Sequence, residues 1–192
     1  VDLVVYSVAS PRRYVAGEDK WYNSVLKPIG SDFEGISIDT DKGEIKAVKL
    51  EMAQQDEIDA TVKVMGGEDW ARWIEVLNEA GVLAKECKTI AYTYIGDTIT
   101  WPIYGDATIG RAKKDLDKAV KKIDALLTQD DLRNSGGRAY IGVLKALVTQ
   151  SSAAIPVMPL YISLLYKVMK EKGVHEGCIE QISRIISTGL YG

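Results

Sequence analysis

Cysteine and histidine are scarce in this chain. Two cysteines in 192 residues, Cys87 and Cys178, exclude a disulfide framework and a metal-ligand cluster. Both read as buried, reduced packing residues of a cytosolic protein. The single histidine, His175, has no second imidazole to share a zinc site with, and a place at the N-terminal side of a short helix is the plainer reading of it than catalysis. Long apolar runs are missing too. The longest, Ala153 to Tyr166, holds Pro156 and Pro159 and is too short to span a bilayer. No signal-peptide pattern opens the chain, so the expectation is a cytoplasmic protein with no integral membrane segment and no metal. No sign of charge dominates: a net charge of −3 argues weakly against nucleic acid or an anionic membrane as main partner. A glycine-rich strand-turn-helix of the kind that cradles a pyrophosphate is also absent.

What is there is a mixed α/β pattern, long enough for one domain or a little more. Leu3 to Tyr6 is a β-branched run bounded by Ser-Pro, which predicts a parallel-sheet strand leading into a ligand loop. Arg12 and Arg13 read as solvated or phosphate-facing. Short extended runs at Ser24–Leu26, Ile36–Asp39 and Ile45–Leu50, with the turn Asp41-Lys42-Gly43, predict a small antiparallel β insertion over 20–52. Gln55 to Met65 predicts a helix with Ile58, Val62 and Met65 on its inner face, stopped by Gly66-Gly67. Glu68 to Ala80 predicts another, with acids where the helix dipole favours them and Trp70, Trp73, Ile74 and Leu77 facing inward. Strands follow at Thr89–Tyr94 and Ala139–Val143, and a surface loop is expected at 130–137. Trp101-Pro102 predicts a non-helical approach to Tyr104. Pro156 to Lys172 predicts a helix aligning Leu160, Ser163, Leu164 and Lys167, with Gly173 as its stop.

The stretch from Thr89 to Lys113 carries the chemistry. Apolar residues at Ile109, Ala112, Leu116, Ala119, Val120, Ile123, Leu126 and Leu127 mark one buried helix face. At about 100° per residue, Lys113 lies beside Ile109, Leu116 and Val120, whereas Lys114, Lys118, Lys121 and Lys122 point away. A snorkelling lysine at the edge of the stripe would look the same. Tyr104 stands nine positions before Lys113, so on one unbroken helix the two would face opposite sides. They meet only if the helix starts after Tyr104 and the loop folds back, which Gly105 permits and Asp106 or Thr108 can cap. An ammonium beside the phenol is expected to lower its pKa from near 10. Such a tyrosine hands over a proton or stabilises an enolate oxygen.

The spacing Tyr-x8-Lys at 104–113, with Val-Lys-Val-Met-Gly-Gly-Glu-Asp-Trp (62–70), Ala-Tyr-Thr-Tyr-Ile-Gly (91–96), the run 147–161 and the run 167–182, resembles the NADH-dependent trans-2-enoyl-thioester reductases. These comprise type V enoyl-acyl-carrier-protein reductases and the related enoyl-CoA reductases. The resemblance covers nearly the whole chain. It implies the central and C-terminal part (1–192) of a Rossmann-like, short-chain-dehydrogenase-like α/β domain, with a glycine-rich NAD segment before Val1 and a further segment after Gly192. It implies reduction of enoyl-CoA or enoyl-acyl-carrier-protein in fatty acid synthesis by a monomer. Tyr104 and Lys113 are then catalytic, Tyr94 binds the thioester carbonyl, and Val8, Ala9, Lys113, Leu147, Val148 and Thr149 contact NADH. Two rival readings are a short-chain-type reductase acting on a ketone, and an inactive fragment keeping only the substrate-side half.

Overall fold

The computed structural model describes residues 1–8, 10–129, 136–149 and 155–192. In chain order the elements are β1 (Leu3–Tyr6), β2 (Arg12–Val15), β3 (Lys20–Asn23), β4 (Phe33–Asp39), β5 (Glu44–Leu50), α1 (Gln55–Met65), α2 (Glu68–Glu79), β6 (Lys88–Thr93), α3 (Thr108–Leu127), β7 (Arg138–Val143), α4 (Met158–Glu171) and α5 (Cys178–Arg184). A 3₁₀ segment covers Thr98–Ile103, and a wide helical turn covers Ile185–Leu190. The chain forms two compact units, one of residues 1–25, 53–93 and 108–143 and the other of 26–52, 94–107 and 144–192.

The first unit is built on a parallel sheet of order β1-β6-β7. Val5 pairs with Ile90, and Ile90 with Tyr140. Helices α2 and α3 supply its core through Trp70, Ile74, Leu116, Ile123 and Leu127, all closed off from water. Burying an indole also buries its N–H, and the fold provides a partner: Trp70 Nε1 donates to Thr89 Oγ1 at 2.8 Å, and Thr89 donates on to the Val4 carbonyl at 3.0 Å. One chain of hydrogen bonds thus ties α2 to two strands. Helices α1 and α2 meet at Gly66-Gly67, where α3 passes so near that a Cβ on Gly67 would lie 2.2 Å from the Ala119 Cβ. The Asp115 carboxylate accepts the Gly67 N–H at 3.0 Å.

Several expectations change here. Arg13 is neither solvated nor phosphate-facing: it sits in a hairpin of β2 with β3 and donates to the Lys63 carbonyl at 2.8 Å and to Asp69 at 3.1 Å. The inner face of α1 is Thr61, Val64 and Met65, with Ile58 and Val62 half-buried. Thr61 counts as polar in a periodicity reading, yet its hydroxyl accepts the Val25 N–H at 3.0 Å and so enters the core satisfied. Trp73 is 56% exposed, because the burial of α2 is taken up by Trp70, Ala71 and Ile74.

The second unit contains an antiparallel β4–β5 hairpin, paired from Phe33↔Leu50 to Asp39↔Glu44; residues 20–23 of the span expected as an insertion pair instead with β2 in the first unit. Its turn is closed by Asp39, whose carboxylate accepts the N–H groups of Asp41 and Lys42 at 3.1 Å each. Gly43 takes φ +72°, a value that glycine reaches without strain. Ser24–Leu26 is not a strand. The core is Ile103, Met158 and Ile162, with Tyr94, Tyr161 and Tyr166 packed on it. This turns α4 relative to the expected alignment: Met158, Pro159 and Ile162 face inward, and Ser163, Leu164 and Lys167 outward. Cys87 is buried as expected, but Cys178, the first residue of α5, is exposed. His175 precedes α5 with its ring edge-on to Tyr166 and its Nε2 3.3 Å from the Lys145 ammonium, a packing role. The loop expected at 130–137 lies mostly outside the described residues. Among the described residues no helix is long and apolar enough to cross a membrane, and no group of three or more His, Cys, Asp or Glu could hold a metal ion.

Candidate active site

Strand β6 ends at Thr93, and Tyr94 is the first residue beyond it. The chain then turns at Gly96, with φ +74°. A Cβ there would fall 2.5 Å from Thr100 Oγ1 and 3.0 Å from the Tyr94 ring, so only glycine lets the turn close against that ring. Asp97 caps the 3₁₀ segment by accepting the Ile99 N–H. The approach to Tyr104 is therefore helical, a correction to the extended path expected from Trp101-Pro102. A 3₁₀ turn accommodates Pro102 near its end, where the ring's fixed φ fits.

Tyr104 ends that segment with φ −130° and ψ −65°, its N–H shared between the Thr100 and Trp101 carbonyls. Asp106 N–H returns to the Trp101 carbonyl at 2.8 Å, and a Cβ on Gly105 would come within 3.0 Å of the Trp101 ring. These contacts break the backbone direction before α3 begins at Thr108. The helix does start after Tyr104, as the spacing requires. Thr108 is its first residue rather than its cap, and its hydroxyl donates to the Val25 carbonyl.

Within the second unit Tyr94 and Tyr104 stand edge to face, ring centroids 5.2 Å apart at 78°. Tyr104 is 8% exposed and Tyr94 half-buried. Burial pushes the Tyr104 phenol up to about 12, with the neighbouring Tyr94 adding to it. Burial likewise pushes Tyr94 up to about 12, helped by Tyr161, Asp97 and Tyr166. This reverses the lowering expected for Tyr104: loss of solvent around the phenolate decides the direction. Both are neutral donors at pH 7. Neither hydroxyl has a hydrogen-bond partner among the described residues, and neither is sealed from solvent as the Tyr6 hydroxyl is.

Lys113 belongs to the first unit. Of the five lysines on α3 it is the half-buried one, and the other four are exposed. Burial lowers its pKa, and its ammonium has no ion pair among the described residues. The three parallel strands end at one edge, and the candidate cofactor residues follow two of them. Val8 comes two residues after β1 and is 40% exposed; Leu147, Val148 and Thr149 come four to six residues after β7 and are exposed. Ala9 lies outside the described residues. Exposed backbone beyond the carboxyl ends of parallel strands is where open α/β sheets take nucleotides. The sequence reading missed Tyr161 and Tyr166, which flank Tyr94. Tyr161 lies in the segment already quoted for its resemblance, and no pattern singles out Tyr166.

A family profile described as "Trans-2-enoyl-CoA reductase catalytic region" matches residues 1–191. An enoyl-acyl-carrier-protein reductase (NADH) of Saccharophagus degradans is 59% identical over 191 residues, which are 100% of this chain and 47% of that protein. A trans-2-enoyl-CoA reductase of Euglena gracilis is 54% identical, again over 100% of this chain but 34% of its own length. Among solved structures, that of Clostridium acetobutulicum trans-2-enoyl-CoA reductase in complex with NADH superposes with a TM-score of 0.92 at 49% identity, covering 98% of this chain and 46% of its own. The chain thus spans about half the length of the curated relatives it matches, and its α/β architecture is Rossmann-like.

Proposed function

The chain belongs to the family of trans-2-enoyl-CoA reductase catalytic regions, and from that premise we propose that the whole protein reduces trans-2-enoyl thioesters, carried on CoA or acyl-carrier protein, to saturated acyl thioesters. NADH, when bound, supplies the hydride that the β-carbon receives. The observation that carries this reading is the Tyr94–Tyr104 pair, two donors with pKa values of about 12 and hydroxyls unclaimed by the described residues.

The chain's own part is electrostatic. As the β-carbon is reduced, negative charge gathers on the thioester oxygen. Tyr94 and Tyr104 donate to that oxygen, an arrangement fixed in advance and worth most where water is thin. Tyr104 then gives its proton, which completes the saturated product at the α-carbon. Lys113 holds the nicotinamide ribose through its hydroxyls, and Val8 with Leu147, Val148 and Thr149 lines the nicotinamide side. We place the protein in the cytoplasm as a monomer; the free thiols Cys87 and Cys178 suit a reducing compartment.

The test is NADH oxidation by the full-length protein with crotonyl-CoA, set against a 3-ketoacyl-CoA. Faster turnover of the enoyl substrate supports the proposal, and faster turnover of the ketone transfers the Tyr–Lys pair to a ketone reductase.

A further inference from the structure

Within the second unit a groove of about 560 Å³ runs between the segment leaving β7 and helix α4. Leu147 and Val148 form one wall. On the other, Ser163, Tyr166, Lys167 and Lys170 fall at i, i+3, i+4 and i+7 of α4, one helix face. Among the described residues no acid lines it. Lys167 and Lys170 are both exposed, and among the described residues neither has an ion pair or hydrogen bond. The one acid of α4, Glu171, is four residues past Lys167, and it too makes no ion pair among the described residues. Some other lysines are engaged, Lys46, Lys49, Lys63 and Lys122 in ion pairs, and Lys145 over the Tyr166 ring, 4.5 Å from its centroid; what sets Lys167 and Lys170 apart is their place on the wall of a groove. The groove therefore combines an apolar wall, a hydroxyl and two unneutralised ammoniums about one helical turn apart.

We propose that this groove holds the phosphate-bearing arm through which the acyl thioester is carried, on its α4 side, with Lys167 and Lys170 on the phosphate and the Tyr166 ring against the uncharged part. This rests on the reductase reading and extends it, because the pantetheine phosphate is common to CoA and carrier protein. Tyr166 links the two places: it walls the groove and also packs on the Ile103–Met158–Ile162 cluster that carries Tyr94. A dinucleotide pyrophosphate is the weaker candidate, since such groups are gripped by backbone N–H groups of a glycine-rich turn and a helix N-terminus. Lysines on a helix flank offer point charges instead, the usual means of holding a single phosphate.

The experiment uses the full-length protein, wild type and the double variant Lys167→Gln/Lys170→Gln, with calorimetric titration of 4′-phosphopantetheine, pantetheine and NADH. Wild type is expected to bind phosphopantetheine at least tenfold more tightly than pantetheine. The double variant is expected to close that gap, and Lys167→Arg/Lys170→Arg to keep most of it; melting temperatures close to wild type show that the variants fold. In turnover, the ratio of kcat/KM for crotonyl-CoA to that for phosphate-free crotonyl-N-acetylcysteamine falls about tenfold. A gap that survives in the double variant, equal binding of the two arms by wild type, or a loss confined to NADH binding overturns the proposal. Should wild type discriminate between the arms yet reduce no enoyl thioester, the reductase reading fails while the phosphate site stands.

Discussion

Tyr104→Phe removes one oxygen and keeps the ring, and its two consequences separate cleanly. For stability, the lost hydroxyl has no hydrogen-bond partner among the described residues and sits where burial raises its pKa to about 12. Deleting a desolvated, unpartnered hydroxyl is neutral or stabilises by up to about 1 kcal/mol. The edge-to-face contact with Tyr94 at 5.2 Å, worth about 0.5–1.5 kcal/mol, is kept by Phe. The melting temperature should therefore hold or rise by a few degrees, at roughly 2–4 °C per kcal/mol for a domain of this size. For catalysis, loss of a positioned proton donor costs roughly 10²–10⁴ in rate, about 3–5 kcal/mol of barrier. The assay is NADH oxidation by the full-length protein with crotonyl-CoA, paired with thermal unfolding. Turnover within threefold of wild type would refute the donor role. A melting temperature lower by more than about 4 °C would show that the hydroxyl carries structure, and the argument from its missing partner would then be wrong.

Lys113→Met should raise the melting temperature, because burial lowers the Lys113 pKa and holding the ammonium in the fold costs stability at neutral pH; the same change should cut kcat/KM at least tenfold and raise KM for NADH. Gly67→Ala places a Cβ 2.2 Å from that of Ala119, and should destabilise by about 1–3 kcal/mol as overpacking does, read as a lower denaturation midpoint. Tyr6 and Tyr104, both buried, have folded pKa values of about 12 against an ordinary 10. A raised pKa contributes stability that is complete below pH 10 and lost as pH climbs to 12, because the unfolded chain releases its proton first. Each contributes on the order of 2 kcal/mol, so the melting temperature should be level to pH 10 and fall between 10 and 12. Tyr6→Phe should flatten that fall.

The elements with strong local signals were legible. Gln55–Met65 was readable to the residue because Gly66-Gly67 punctuates it, and the β4–β5 turn because Asp-Lys-Gly suits a tight reversal. The break between Tyr104 and α3 is what the nine-residue spacing needs if the two side chains are to share a site, since residues nine apart share no helix face, and Gly105 permits it. What escaped the sequence was decided by tertiary partners. Thr61 and Arg13 enter the interior because Val25, Lys63 and Asp69 satisfy them, and none of these is a sequence neighbour. Trp73 stays outside because one indole, Trp70, already fills the space above the sheet. The raised pKa of Tyr104 is set first by desolvation, which no sequence pattern carries. That desolvation depends on Ile103, Met158 and their neighbours closing around the ring.

Partnering separates the structural polar groups of this chain from those open to chemistry. In the first unit Trp70 is answered by Thr89, Thr89 by Val4, Gly67 by Asp115, and Arg13 by Lys63 and Asp69. Each of these groups would cost stability if left alone, and each is matched. Tyr94, Tyr104 and Lys113 are the contrast: removed from much of the solvent, shifted toward their uncharged forms, and unmatched among the described residues. Tyr6 shares the shift to about 12 and the missing partner, so neither property alone marks a site. Access decides between them. The Tyr6 hydroxyl is sealed, with its ring stacked on Trp70 at 6.0 Å, and no ligand reaches it. The Tyr94 and Tyr104 hydroxyls are not sealed, and a thioester oxygen placed between them would supply the acceptor that the protein withholds.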